Sequence, residues 1–181
     1  KSSLVTCPKN SINCCNLPLT NNFPLGGKMN LNIRILNKLT EQHYKLLLEA
    51  DPNKKLISKY LKRSFCFEAT YNNELLGVLI LLPTHPETLE VVNIAVISTQ
   101  RNKGIGHQLL IFAEKYARNN NCKCLEIGTG TTSFGQLYLY QKCGFRVVGV
   151  DQNFFTIHYD KEITENGLVL KDMIRLRKVL K

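Results

Sequence analysis

One feature constrains the fold of this chain more than any other: a strand-like run that is followed, after a short polar stretch, by two closely spaced glycines. Residues 88–97 have the apolar and β-branched character of a strand, and Gly104 and Gly106 follow after a short polar stretch. From Gly104 to about Asn119, apolar side chains recur at helical spacing, at Ile105, Leu109, Phe112, Ala113 and Tyr116. The pattern predicts a strand, a glycine-containing loop and an amphipathic helix in direct succession.

The loop and the first turn of this helix form a predicted anion site. The first N–H groups of a helix have no acceptor within it and carry a partial positive charge, and glycine lets a phosphate approach the backbone closely. Arg101 and Lys103 add full charges. The dinucleotide-binding motif GxGxxG is excluded because Leu109 stands where its third glycine would be. The phosphate-binding motif GxxxxGK[ST] is also absent from the sequence. The glycines alone therefore leave an ordinary strand-to-helix turn open.

The rest of the chain alternates between strand and helix patterns and predicts a mixed α/β sheet domain. Six further strands are expected at Leu31–Leu36, Phe65–Tyr71, Leu75–Leu82, Lys123–Ile127, Phe145–Val150 and Leu170–Val179. Helices are expected after an N-cap at Thr40 and over Asn53–Lys62 and Thr132–Lys142. Asn72-Asn73-Glu74 is typical of a hairpin turn, whereas Asp151–Gly167 is expected to be a long loop.

Residues 1–28 differ in composition from the rest and show no helical or strand period. They lack the apolar core of a signal peptide, so we expect a disordered leader or extension before a domain over residues 29–181. No apolar run reaches the ~18 residues that span a bilayer. The longest, Leu75–Pro83, is typical of a buried strand. A cytoplasmic protein without a membrane segment is expected.

The formal charge of +10, from 24 basic and 14 acidic residues, favours anionic partners. Basic residues cluster near the C-terminus, where we expect the solvated face of an edge strand rather than a nucleic-acid site: Lys171, Arg175, Arg177, Lys178 and Lys181. The seven cysteines include no CxxC pair, and the four histidines are scattered. No metal site is predicted, and the cysteines are interpreted as reduced thiols.

Two segments in order resemble one known family. Gln100-Arg101-Asn102-Lys103-Gly104-Ile105-Gly106 resembles the Q/R-x-x-G-x-G/A pyrophosphate loop of the GNAT superfamily of N-acetyltransferases. Leu139-Tyr-Gln-Lys-Cys-Gly-Phe145 resembles the family's LYxKxGF segment. The resemblance runs from about Leu31 to Val179. It implies a mostly antiparallel, twisted sheet flanked by helices, in which two central parallel strands splay apart around acetyl-CoA.

The resemblance also implies which residues bind the cofactor. The segment Ile94, Ala95 and Val96 is similar to the one that binds the pantetheine arm, and the Val96 N–H would polarise the acetyl carbonyl as an oxyanion donor. The pyrophosphate would be held by the backbone N–H groups of Arg101, Asn102, Lys103, Gly104, Ile105 and Gly106. The side chains of Arg101 and Lys103 could reach the 3′-phosphate or solvent, and the sequence leaves both open.

Tyr140 aligns with the family's general acid, which would protonate the departing thiolate. A packed helix tyrosine is the alternative for this residue. Ser133 stands where the family often has an asparagine that contacts the cofactor, and a hydroxyl offers a shorter contact. Glu126 and Glu90 are candidate bases for the attacking amine, with solvated carboxylates as the alternative. His158 and Tyr159 are candidates for the wall of the acceptor pocket.

These features favour transfer of acetyl from acetyl-CoA to an amine of a small molecule or a protein. The alternatives are a non-catalytic acyl-CoA-binding module and, with less support, a nucleic-acid-binding protein. A pure binder has no need of an acid beside the sulfur, so Tyr140 separates the first two. The positive surface favours an acidic or neutral acceptor over a polyamine. Family members often dimerise, which allows a homodimer here.

Overall fold

The computed structural model describes residues 29–181, so the predicted leader, residues 1–28, lies outside the described residues. The described residues contain nine strands: β1 Asn32–Ile35, β2 Phe65–Tyr71, β3 Glu74–His85, β4 Thr88–Val96, β5 Cys124–Gly130, β6 Arg146–Asp151, β7 Thr164–Glu165, β8 Leu168–Val169 and β9 Met173–Val179. Five α-helices accompany them: α1 Glu41–Ala50, α2 Lys54–Leu61, α3 Ile105–Asn119, α4 Phe134–Lys142 and α5 Phe154–His158.

Seven strands form one twisted sheet in the order β1-β2-β3-β4-β5-β9-β6, and β7 and β8 form a separate hairpin. Every neighbouring pair in the large sheet is antiparallel except β4 and β5, which are parallel. The predicted hairpin between β2 and β3 is confirmed. Asn72 and Asn73 both adopt positive φ, as a two-residue turn that matches the twist of its strands requires.

Helices cover both faces of the sheet. On β3, Leu79 and Leu81 face the core formed with α3, which includes Phe112. Val78 and Ile80 alternate with them and face the second core, under α1 and α2. This two-faced burial explains why β3 is a nearly continuous apolar run in the sequence. The predicted mixed, mostly antiparallel α/β architecture is confirmed.

Local chemistry sets the starts of the helices on the second face. At α1, the N–H of the N-cap residue Thr40 donates to Nδ1 of His43, the third residue of the helix, at 2.9 Å. At α2, Oδ1 of Asn53 accepts a hydrogen bond from the Leu56 N–H at 3.0 Å. α1 lies against β4, where the Leu47 carbonyl accepts a hydrogen bond from Nδ2 of Asn93 at 3.1 Å.

Two sequence-based expectations are wrong. The segment 151–167 is not a structureless loop, because it contains α5 and most of the β7–β8 hairpin. The basic C-terminal strand is not at an edge: β9 lies between β5 and β6 and starts at Met173. Its cations pair with carboxylates on neighbouring elements, such as Arg177 with Glu126. None of the helices in residues 29–181 is both long and apolar enough to cross a membrane.

Candidate active site

The central feature of the sheet is a gap between β4 and β5. The two strands pair from Thr88 opposite Cys124 to Val91 opposite Ile127, and no further residues pair. β4 continues to Val96, while Gly128–Gly130 of β5 pair with β9. The strands therefore splay apart beyond Val91, as predicted, and leave backbone groups of β4 without a strand partner on that side.

The backbone of β4 presents N–H groups to this gap. The Ile97 N–H donates to the Leu76 carbonyl of β3 at 2.9 Å. Successive N–H groups in a strand point to opposite sides, so the N–H groups of Val96 and Ile94 point away from β3 and towards β5. Ala95 points its N–H at β3, and its buried side chain packs in the core under α1 and α2. Val96 and Ile94 can therefore donate to a molecule in the gap.

The predicted phosphate loop connects this strand to α3. Residues Ser98–Gln100 form a single 3₁₀ turn, and Asn102 and Gly104 then adopt left-handed conformations, with φ of 62° and 82°. The first bond within the helix runs from the Gln108 N–H to the Gly104 carbonyl at 3.1 Å. The helix supplies no acceptor to the N–H groups of Ile105 and Gly106, which suits them to an anion.

Two basic side chains of the loop have partners within the protein. Arg101 donates from Nε to the Val96 carbonyl at 3.1 Å and from Nη2 to Glu49 of α1 at 2.9 Å. Lys103 donates from Nζ to the Gln100 side chain at 2.8 Å. Arg101 thus braces the loop against β4 and α1. A role for either side chain at the 3′-phosphate stays a prediction.

Tyr140 lies on α4, close to the phosphate loop. Its neighbour Leu139 is so near the start of α3 that a Cβ added at Gly106 would lie 3.3 Å from the Leu139 Cδ2. Tyr140 is buried among the residues packed with α3. Burial, with a smaller contribution from Cys143, raises the pKa of its phenol above the usual range. The group is therefore neutral and holds its proton at physiological pH.

Ser133 is the N-cap residue of α4 and is buried. Its hydroxyl donates to Oε2 of Glu165, on β7, at 2.5 Å. The same carboxylate oxygen accepts from Thr132 at 3.3 Å. Because this proton is engaged, the Ser133 oxygen can only accept a further hydrogen bond. Its predicted contact with the cofactor is untested, and the partner Glu165 was not apparent from the sequence.

The two candidate bases are neighbours, since Glu90 of β4 is the register partner of Glu126 of β5. Arg177 donates to Oε1 of Glu126 from both Nε and Nη2, at 2.8 and 2.6 Å. Arg175 donates to Oε1 of Glu90 at 2.9 Å. Burial raises the pKa of Glu90 and the nearby Glu126 raises it further, while Arg175 opposes the shift. Glu90 is the carboxylate better suited to hold a proton.

The segment around α5 lies on the face of the sheet that carries α1 and α2. The Phe154 ring lies 5.4 Å from the Arg175 guanidinium carbon. The His158 carbonyl accepts from Nδ2 of Asn53 at 2.8 Å, and the Tyr159 hydroxyl donates to Asp51 at 3.0 Å. The segment thus ties β9 to the α1–α2 connection. A role for His158 and Tyr159 in the wall of an acceptor pocket stays a prediction.

The geometry matches a known family. Residues 33–145 match the model of the acetyltransferase (GNAT) family. The chain belongs to this GNAT family. An uncharacterized N-acetyltransferase of Bacillus subtilis, YvbK, is 46% identical over 146 residues, which cover 81% of this chain and 94% of the relative.

Two solved structures share the fold of this GNAT domain at similar identity. A Bacillus subtilis acetyltransferase in complex with CoA has 45% identity and a TM-score of 0.81, and the match covers 83% of this chain and 99% of that chain. A GNAT family acetyltransferase from Elizabethkingia anophelis with acetyl-CoA bound has 46% identity and a TM-score of 0.82, covering 84% and 100%. The predicted family and its splayed-strand fold are both confirmed.

Proposed function

We propose that this GNAT enzyme transfers the acetyl group of acetyl-CoA directly to a primary amine, with Tyr140 as general acid. As a GNAT family member, the chain is an acetyl-CoA-dependent N-acetyltransferase. The observation that carries the proposal is the gap after Val91 and Ile127, which opens beside the left-handed Gly104 loop. The gap is suited to the pantetheine arm, and the loop is suited to the pyrophosphate.

In the proposed reaction the amine nitrogen attacks the thioester carbonyl carbon, and the carbon–sulfur bond breaks. The Val96 N–H stabilises the negative charge that develops on the carbonyl oxygen. The leaving thiolate takes the phenol proton of Tyr140. A free thiol has a pKa of ~8.5, below that of a phenol at ~10, and burial raises the pKa of Tyr140 further. The proton can therefore move only while the carbon–sulfur bond breaks and charge develops on a sulfur that lies against the phenol.

A base must take the proton that the attacking amine loses. Both predicted carboxylates lie on the sheet face that carries α1, α2 and α5, opposite the face that buries Leu89 and Leu125 with α3. Glu90 is favoured over Glu126, because its pKa is raised by burial whereas Glu126 receives two donors from one arginine. Six positions of β4 separate Glu90 from Val96, about 20 Å along a strand, so Glu90 would accept the proton through a chain of water molecules.

The acceptor, a homodimer and a cytoplasmic location all remain predictions. The nucleic-acid alternative loses support, because the basic residues of β9 are largely neutralised by carboxylates, among them Lys178 by Glu114. An acyl-CoA-binding module without activity remains distinguishable by experiment. Acetyl-CoA binding, measured by calorimetry with NAD as the control, tests the loop and the gap.

Release of CoA thiol during a screen of primary amines then tests transfer. Binding of acetyl-CoA together with amine-dependent thiol release would support the proposal. Binding without thiol release for any amine would support the acyl-CoA-binding module instead. If the folded protein did not bind acetyl-CoA, the assignment of the site would be wrong.

A further inference from the structure

Asp51 is a buried carboxylate that pairs with no cation among residues 29–181. Within residues 29–181 two acidic residues are buried, Asp51 at 8% and Glu68 at 5% exposure. Glu68 receives hydrogen bonds from Arg34 and His43. Asp51 forms no ion pair with any described residue. Buried charges in proteins are normally paired or shift their pKa. Burial raises the pKa of Asp51, while hydrogen bonds from the Asn53 N–H and the Tyr159 hydroxyl oppose the shift. A positive partner from outside the described residues would therefore stabilise its charged form.

The hydrogen bonds of Asp51 leave one of its oxygens open. Oδ1 accepts from the Asn53 N–H at 2.9 Å and from the Tyr159 hydroxyl at 3.0 Å. No hydrogen bond from residues 29–181 reaches Oδ2, and this oxygen is not among the sealed, unpartnered atoms of the interior. Oδ2 therefore remains available to a donor that enters from solvent.

Two phenols and an amide complete a polar cluster around this carboxylate. Asp51 and Tyr159 both lie close enough to Tyr60 to raise the pKa of its phenol, although burial contributes most. The Tyr60 oxygen accepts from Nδ2 of Asn93 at 3.0 Å. Asn93 is 4% exposed, and its buried Oδ1 has no hydrogen-bond partner within residues 29–181. The cluster thus offers negative charge and acceptor oxygens and contains no cationic side chain.

The cluster borders the gap where the cofactor is expected. Asn93 lies on β4 just beyond Val91, the last residue paired with β5, and its Nδ2 also donates to the Leu47 carbonyl of α1 at 3.1 Å. Three residues separate Asn93 from Val96, which corresponds to about 10 Å along a strand. A molecule held at Asp51 could therefore extend along β4 to the expected position of the acetyl carbonyl.

We propose that Asp51, Tyr60 and Tyr159 bind an ammonium group of the acceptor, and we call these three residues the ammonium seat. The preferred acceptor is then a diamine. One amine attacks the thioester, and the second, positively charged amine occupies the seat several bonds away. This assignment rests on the proposed acetyl transfer to amines and specifies its substrate class. It is the opposite of the acidic or neutral acceptor that net charge alone favours.

The binding test uses the protein saturated with CoA and titrated with 1,5-diaminopentane in a calorimeter. Asp51→Asn should weaken diamine binding by about 10- to 100-fold, the range for a hydrogen bond to a charged group. Asp160→Asn is the matched control, since it removes the same charge from an exposed position beside Tyr159. Tyr159→Phe, which keeps the carboxylate, should weaken binding several-fold and serves if Asp51→Asn does not fold.

The kinetic test compares kcat/KM for 1,5-diaminopentane and hexylamine, in which a methyl group replaces the second ammonium. The wild type should prefer the diamine by about 10- to 100-fold, and Asp51→Asn should remove the preference. Unchanged diamine affinity in the Asp51 and Tyr159 variants would overturn the proposed ammonium seat. An equal loss of kcat/KM for 1,5-diaminopentane and hexylamine in Asp51→Asn would overturn it as well. Loss of diamine affinity in Asp51→Asn without thiol release from any amine would retain the seat and reject the proposed function.

Discussion

Val91 and Ile127 form the last residue pair that joins β4 to β5. Beyond it, β4 keeps its partner β3 while β5 follows β9. The register between β3 and β4 also shifts here, because Leu81 pairs with Val91 but Ile80 pairs with Asn93. The extra residue, Val92, forms a bulge of the kind often found beside active sites. The gap between β4 and β5 therefore begins just after Glu90, the candidate base, and extends along β4 to Val96, the candidate oxyanion donor.

The first prediction concerns the proposed acid. Tyr140→Phe should lower kcat by roughly 10²–10⁴-fold, the range for one lost acid–base group, and should leave acetyl-CoA affinity nearly unchanged. Tyr138→Phe is the matched control, since this tyrosine lies on the same helix and is 67% exposed. Steady-state kinetics and calorimetry measure the two quantities. Unchanged turnover in Tyr140→Phe would remove this residue from the acid role.

The second prediction concerns the phosphate loop. Gly104→Val should weaken acetyl-CoA binding, because φ is 82° there and a β-branched residue rarely adopts this conformation. Apart from the adjoining residues of the loop, no atom of residues 29–181 lies within 4 Å of the added Cβ, so backbone geometry and ligand approach would cause the loss. Gly167→Val is the control, at a φ of 76° in the turn between β7 and β8. It should lower the melting temperature while retaining acetyl-CoA affinity; equal affinities in both variants would contradict the assignment.

The third prediction concerns the base. Burial raises the pKa of Glu90, so the active, deprotonated form should appear only as pH rises through that elevated value. Glu90→Gln should lower kcat/KM by about 10²-fold at neutral pH and flatten the acidic limb of its pH profile. Glu126→Gln should retain that limb. The reverse result, with the limb lost only in Glu126→Gln, would assign the base to Glu126.

The fourth prediction concerns stability. Burial alone would raise the pKa of Glu68, but hydrogen bonds from His43 and Arg34 outweigh it and lower the pKa below its usual range. A lowered pKa stabilises the fold above the unfolded-state value and loses this effect as pH falls. Glu68→Gln should therefore cost about 1–3 kcal/mol of unfolding free energy at pH 7, and this difference should shrink below about pH 4.

Urea unfolding at both pH values measures this difference. Glu74→Gln, at an exposed position on β3, is the control and should change the free energy of unfolding little at either pH. An equal loss for Glu68→Gln at pH 7 and at the acidic pH would show that the carboxylate charge does not contribute.

Local chemistry explains why much of the molecule could be predicted from the sequence. The β2–β3 hairpin follows from two asparagines that tolerate positive φ, and α3 follows from apolar side chains at helical spacing. The phosphate loop is predictable because the strand, the glycines and the helix are contiguous. The segment 151–167 was misjudged because α5 is only five residues long, too short for a periodic signal.

The amino-acid sequence by itself determined the family, the order of the main elements, the loop that ends at Gly106 and the position of Tyr140, since each depends on neighbouring residues. Only the tertiary structure decided the electrostatics of the site. Arg175 meets Glu90 across 85 positions, and Tyr159 meets Asp51 across 108. Such contacts depend on which strands pair and where two of them separate, and no local spacing encodes that. The same long-range folding leaves Asp51 buried without a cation among the described residues.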